Sequence, residues 1–149
     1  VKKLNCTSSH LVDSVRLGKE FVTSVYIFSA GEPLGRKTDI LRLCTVHGEC
    51  QFLAFTNSTL IDDAFAKEML RVKNFIPAIS VEGFEDATDF RRGAGTYQAI
   101  MKAMAILKKY KWPLGASCCY TSKNVDSSSS EAFIDHLGEG GAKCAWFFH

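Results

Sequence analysis

Six cysteines, four histidines and a small set of strand-end polar residues are the groups in this 149-residue chain that could carry chemistry. The cysteines stand at Cys6, Cys44, Cys50, Cys118, Cys119 and Cys144 without one Cys-x-x-Cys pair, so neither a zinc knuckle nor a thioredoxin-type dithiol is present. They read instead as reduced, mostly buried, small apolar side chains. His10, His47, His136 and His149 have no metal-ligand spacing, and only His149 stands where it could face a pocket. Gly93-Ala94-Gly95 opens a helical stretch but lacks the fuller dinucleotide fingerprint and does not directly follow a strand, which disfavours a phosphate cradle. The remaining candidates gather where short apolar runs end: Ser29-Ala30-Gly31-Glu32-Pro33, Thr56-Asn57-Ser58, Ser80-Val81-Glu82-Gly83, Tyr120-Thr121-Ser122-Lys123-Asn124, and His149.

The elements that must position these groups follow from hydrophobic periodicity. Continuous apolar runs predict strands over Phe21–Ser29, Gln51–Thr56, Phe75–Glu82, Leu114–Thr121 and Cys144–His149. Their interiors are apolar on both faces, which suits parallel strands covered by helices. Between them, Leu60–Val72 places Ile61, Ala64, Phe65, Met69 and Val72 on one helical face, with Thr59 and Asp62 resembling a capping box. Ala94–Tyr110 repeats the pattern with Tyr97, Ile100, Met101, Met104 and Leu107 and stops before Trp112-Pro113. Thr38 can cap a helix carrying Ile40, Leu43 and Cys44, and Ser128 or Ser130 one carrying Phe133, Ile134 and Leu137. A first helix is expected over His10–Leu17, closed by Gly18. Alternating strands and helices predict an α/β fold whose sites lie at the C-terminal ends of the strands.

Composition bounds the rest. With 46% hydrophobic and 23% charged residues, the chain has the make-up of one globular domain, and residues 1–149 are expected to form it without a second. Eighteen basic and sixteen acidic residues, mixed along the chain for a net charge of +2, give no support to nucleic-acid binding. No segment has the ~20 apolar residues of a membrane span, and no signal-peptide core follows Val1, so a cytoplasmic protein is expected.

Four motifs in order resemble the radical S-adenosylmethionine (radical SAM) enzymes. Gly31-Glu32-Pro33-Leu34 resembles that family's Gly-Gly-Glu-Pro-Leu turn, Phe55-Thr56-Asn57 its Thr-Asn, and Ser80-Val81-Glu82-Gly83 its Ser-x-Asp-Gly. Asp89-Phe90-Arg91-Arg92-Gly93-Ala94-Gly95-Thr96-Tyr97 resembles the following Asp-x-x-Arg-Gly-x-x-Gly-aromatic element. The likeness runs from about Leu11 to His149 and is closest to iron–sulfur oxidoreductases with a C-terminal extension. It implies a partial, open β/α barrel of parallel strands with outer helices, comprising strands two to six of the family's six. It also implies two cofactors in the complete enzyme, S-adenosylmethionine and a four-iron, four-sulfur cluster, and a substrate that is a small molecule or a peptide.

By the same resemblance, Ala30, Gly31, Glu32 and Pro33 form a turn against the cofactor's ammonium, with Glu32 accepting a hydrogen bond. Asn57 addresses its ribose, and Ser80 with Arg92 its carboxylate. Each has a plainer alternative: Glu32 a surface turn, Asn57 a helix cap, Arg92 a solvated helix-start residue whose role passes to Arg91. Glu82 can pair with a nearby arginine, and Asp89 orders its loop. The sequence departs from the family in lacking the Cys-x-x-x-Cys-x-x-Cys loop that ligates the cluster, a set that neither Cys6 nor the other scattered cysteines can replace. Ala30 and Ser58 stand where glycines are frequent. The expected reading is an inactive internal fragment of a radical SAM enzyme. Its rivals are a stand-alone doubly wound α/β binding module, distinguished by its strand order, and a degenerate non-catalytic scaffold.

Overall fold

The structure is a computed structural model that describes residues 7–29 and 31–149, so Cys6 and Ala30 lie outside the described residues. In chain order it comprises α1 (Ser8–Glu20), β1 (Val25–Phe28), a 3-10 turn (Pro33–Arg36), α2 (Lys37–Val46), β2 (Gln51–Thr56), α3 (Asp63–Val72) and β3 (Phe75–Ser80). There follow α4 (Glu85–Arg92), α5 (Thr96–Lys109), β4 (Leu114–Cys119), α6 (Val125–Ser128), α7 (Glu131–Glu139) and β5 (Ala142–Phe148). The five strands form one sheet in the order β1-β2-β3-β4-β5, every pair parallel. Sequential order without reversal about a central strand is the arrangement of a barrel arc and departs from a doubly wound sheet.

One face of the sheet carries the core. Phe52, Ala54, Phe75, Ile79, Leu114 and Ala116 are buried against Leu43 of α2, Phe65 and Met69 of α3, Ile100, Met104 and Leu107 of α5, and Phe133 of α7. Fully burying a side chain of this size contributes about 1.5–3 kcal/mol, which is why the helices stay seated on that face. Trp112 Nε1 donates to the Phe75 carbonyl (3.0 Å), securing the return from α5 to the sheet.

Three local expectations are corrected. The strand predicted over Phe21–Ser29 is only Val25–Phe28, because α1 runs on to Glu20 and turns through Phe21 and Val22, the latter at φ +62°. Gly18 therefore lies inside α1; a Cβ there would come within 2.5 Å of the Tyr26 hydroxyl, so this glycine serves close packing rather than termination. Helix α3 starts a turn later than predicted, since Asp62 itself caps it by accepting from Phe65 N (2.7 Å). The segment Glu85–Arg92, for which no element is predicted, is helical, its first turn carrying Glu85 and Asp86 and its last Arg91 and Arg92 in the order the helix dipole favours. Ser130 caps α7 by accepting from Phe133 N (3.2 Å), and α5 ends at Lys109, before Pro113.

Candidate functional site

Register fixes which side chains share the sheet's other face. Paired residues of parallel strands point the same way and neighbours along a strand alternate. The face turned away from the core therefore carries Leu53, Phe55, Ala78, Ser80, Gly115, Ser117, Cys119, Trp146 and Phe148. Phe55 on β2 meets Trp146 (ring centroids 5.8 Å) and Phe148 (5.7 Å) on β5 edge-to-face, although β3 and β4 lie between them. Rings so far apart in the sheet can touch only if it curls, so this face is concave. Gly115 permits the contact: a Cβ there would stand 2.4 Å from the Trp146 ring.

At the C-terminal end of β1, Gly31 adopts φ +66°, and a Cβ added to it would meet nothing within 4 Å, leaving its backbone open to the surroundings. Pro33 is buried as the first residue of the 3-10 turn. The Glu32 carboxylate is turned into the protein: Oε1 accepts from Leu34 N (2.9 Å) and Thr56 Oγ1 (2.7 Å), and Oε2 from Asn57 N (2.8 Å). It thus ties the end of β1 to the end of β2. Asn57 accepts at Oδ1 from Thr59 N (3.1 Å) and Thr59 Oγ1 (2.8 Å), a local turn rather than the cap of α3, while its Nδ2 has no partner among the described residues. Ser58 takes φ +61°, the backbone that favours glycine, and its buried hydroxyl is unpaired.

Ser80, the last residue of β3, pairs across the sheet with Ser117 of β4. Each is 9% exposed, and neither hydroxyl has a partner among the described residues. Two residues on, Glu82 is fully buried. Its Oε2 accepts from Cys119 N (2.8 Å) and its Oε1 from Arg92 Nε (2.9 Å), with Arg92 Nη2 on the same oxygen. Arg91 Nε lies 3.7 Å from that oxygen, and its Nη1 donates to the Cys119 carbonyl (3.0 Å). Both arginines address Glu82, and Arg92 holds it more closely. Asn124, also buried, donates from Nδ2 to the carbonyls of Glu82 (2.9 Å) and Cys119 (3.1 Å) and accepts at Oδ1 from Thr121 N (2.6 Å). The loops after β3 and β4 are thereby clamped together.

Asp89 accepts from Gly95 N (2.6 Å) and Tyr97 N (2.8 Å), occupying the start of α5 where a phosphate cradle would have to form. His149 lies against Tyr120, ring centroids 5.2 Å apart. The strand predicted over Leu114–Thr121 stops at Cys119, which therefore borders the concave rim, while Cys118 points into the core. Burial pushes the Cys118 thiol up to about 11 and the Cys44 thiol to about 12. Among the described residues, no group of three or more His, Cys, Asp or Glu is placed to hold a metal ion. Ser117 escaped the sequence reading, unremarked inside a predicted strand, and Asn124 entered it only as the end of a polar run, since its role lies in contacts 42 and 5 residues away in sequence.

A family model described as the Radical SAM superfamily matches residues 9–125, most of the chain. The chain belongs to the radical SAM superfamily. Membership implies S-adenosylmethionine and a 4Fe–4S cluster as cofactors. Comparison with curated proteins gave no match. Among solved structures, Streptococcus suis SuiB superposes with a TM-score of 0.80 at 15% identity, covering 99% of this chain and 35% of SuiB. Native anSMEcpe with bound AdoMet and the Kp18Cys peptide gives 0.76 at 20% identity, covering 96% of this chain and 42% of that one. A domain of pyruvate-formate lyase-activating enzyme from Bacteroides vulgatus gives 0.58 at 14% identity over 77% of this chain and 70% of that domain. These likenesses show the radical SAM barrel arc, and the chain spans about two fifths or less of SuiB and anSMEcpe. No helix among the described residues is long and apolar enough to cross a membrane.

Proposed function

We propose that this chain supplies the S-adenosylmethionine-holding arc of a radical SAM enzyme. The observation that carries the reading is a division of labour at the strand ends. Among the described residues, Asn57 Nδ2 and the Ser80 and Ser117 hydroxyls are unclaimed and no atom crowds Gly31, whereas the Glu32 and Glu82 carboxylates are satisfied by the protein. Donors left unpaired beside a concave rim are costly unless water or a ligand meets them. They fit the polar groups of the cofactor: Asn57 for ribose oxygens, Ser80 with Ser117 for the carboxylate, and Gly31 for backbone approach to the ammonium.

Glu32, Glu82 and Arg92 then act one step removed. Glu32 orients the turn of residues 30–33 through Leu34 N and fixes Asn57 through its backbone. Glu82 and Arg92 hold the loop that follows Ser80. When bound in the complete enzyme, S-adenosylmethionine would supply the radical chemistry of the superfamily, for which these residues would bind and orient it. Among the described residues no group of cysteines fits the cluster, and on this reading its thiolate ligands belong to another part of the complete enzyme. The substrate, a small molecule or peptide, faces the aromatic wall of Phe55, Trp146 and Phe148.

Calorimetric titration of the chain with S-adenosylhomocysteine, an unreactive analogue, tests this reading. Saturable binding weakened roughly tenfold by Ser80→Ala, for one charge-assisted hydrogen bond and with the melting temperature nearly unchanged, and severalfold by Asn57→Ala, for one neutral hydrogen bond, is expected. Absence of binding, or binding indifferent to both variants, refutes it. Anaerobic iron and sulfide should yield no stable four-iron centre in paramagnetic resonance, and stoichiometric cluster formation would overturn the assignment of its ligands elsewhere.

A further inference from the structure

We propose that a cleft outside the residues assigned to the cofactor, between α4 and the loop after β4, binds an anionic group, carboxylate or phosphate, borne on a flat apolar body. The cleft has a volume of about 350 Å³ and is lined by Ala87, Phe90 and Arg91 of α4 and by Thr121, Ser122 and Lys123. That is the lower end of the range for small-molecule sites.

Charge arithmetic points to an anion. Arg91 and Arg92 share the single carboxylate of Glu82, leaving one positive charge over, and Lys123 adds a second. No Asp or Glu lines the cleft itself; Asp86 and Asp126 line an adjoining groove that shares Phe90 and Lys123 with it, so the surplus of positive charge is greatest at the Arg91 end. The Arg91 guanidinium spends Nη1 on the Cys119 carbonyl and makes no other hydrogen bond among the described residues, so donors of its fork remain for a planar oxyanion. The Ser122 hydroxyl likewise has no partner among them.

The apolar half of the site is Phe90. Phe90 is 73% exposed on α4, and Lys123 Nζ stands 5.2 Å from its ring centroid. A flat ligand laid on this ring brings its acidic end between Lys123 and Arg91, gaining ring stacking and two charge-assisted contacts together. Asn124 and Arg91 both anchor to Cys119, so the two walls are held at fixed spacing before any ligand arrives.

Amide NMR titration of the chain tests the site, with 3-phenylpropionate, phenyl phosphate, inorganic phosphate and neutral 3-phenylpropanol as probes. Saturable shifts confined to residues 87–91 and 121–124 are expected with the two aromatic anions, weaker ones with inorganic phosphate, and affinities at least tenfold lower with the alcohol. Lys123→Gln and Phe90→Ala, both surface changes, should each weaken binding about tenfold without altering the melting temperature. Arg91→Lys keeps the charge but loses the fork and should weaken carboxylate binding too. Indifference to S-adenosylhomocysteine is expected of a site separate from the cofactor's, and competition by it would overturn the proposal by making the cleft part of the cofactor site. Equal binding of 3-phenylpropanol, or shifts unaffected by Lys123→Gln and Phe90→Ala, would overturn it. Since S-adenosylhomocysteine binding reports on Ser80 and Asn57 separately, failure here is distinguishable from failure of the cofactor reading.

Discussion

Glu32 and Glu82 occupy equivalent places, each just beyond the C-terminal end of a strand, yet the protein keeps their charges in different ways. Glu32 is half-buried and held by two backbone amides and one hydroxyl, all neutral donors. Glu82 is wholly buried and has two arginines as well as a backbone amide. Near water, hydrogen bonds suffice to hold a carboxylate in place; in the interior, desolvation costs several kcal/mol and a counter-charge is needed. A strand-end carboxylate in a motif can therefore be a structural tie, and its burial decides which partner it requires.

The sharpest break of this comparison is Arg92→Leu, which strips Glu82 of its closer partner. A loss of about 3–5 kcal/mol in urea unfolding is expected, since an unpaired buried charge remains. A loss below about 1 kcal/mol would mean that Arg91 takes over fully. Asn124→Ala removes the clamp on the carbonyls of Glu82 and Cys119 and should cost about 2–3 kcal/mol by the same measurement.

Glu32→Gln is milder. A glutamine presents an NH2 to one of three donors that a carboxylate accepts, and a loss of about 1–2 kcal/mol is expected, with no change in urea midpoint counting against the tie between β1 and β2.

The Cys118 thiol, packed on the core side beside the Glu82 network, offers a pH test. Burial raises it from 9.0 to about 11 in the folded chain. Between those values the unfolded chain has released the proton while the folded chain still binds it, so stability is whole below pH 9 and falls as pH rises. At pH 10 this thiol's share of the loss should be about 1 kcal/mol, so Cys118→Ala should make the alkaline limb shallower without abolishing it, because the Cys44 thiol, raised to about 12, keeps a similar share. At pH 8, iodoacetamide should label exposed Cys144 and spare buried Cys118 and Cys44, as peptide mass mapping would record. The smallest stability effect, under about 0.5 kcal/mol, is expected for Ser80→Ala, because its hydroxyl serves no partner within the described residues.

Much of the fold was legible because hydrophobic periodicity is local. The strand over Gln51–Thr56 matches the prediction to the residue, and the helix of Thr96–Lys109 lies within its predicted span. Phe21 and Val22 misled because apolar character alone cannot separate a strand start from an exposed helix-ending turn; they are 81% and 91% exposed. Gly18 misled for the complementary reason: a glycine after an apolar stretch reads as a terminator, while the Tyr26 ring that needs its missing Cβ is eight residues away.

The sequence by itself determined the alternating elements, their polar ends and membership in the radical SAM superfamily, because periodicity, caps and ordered motifs are written in neighbouring residues. Only the tertiary structure decided that Glu32 and Arg92 are bound inward, that Ser117 stands beside Ser80, and that Arg91 and Lys123 enclose a common cleft. Those outcomes depend on strand register and on which of two charged neighbours reaches a buried partner first. Both are set by packing between segments tens of residues apart, where side chains compete for the same few unsatisfied groups.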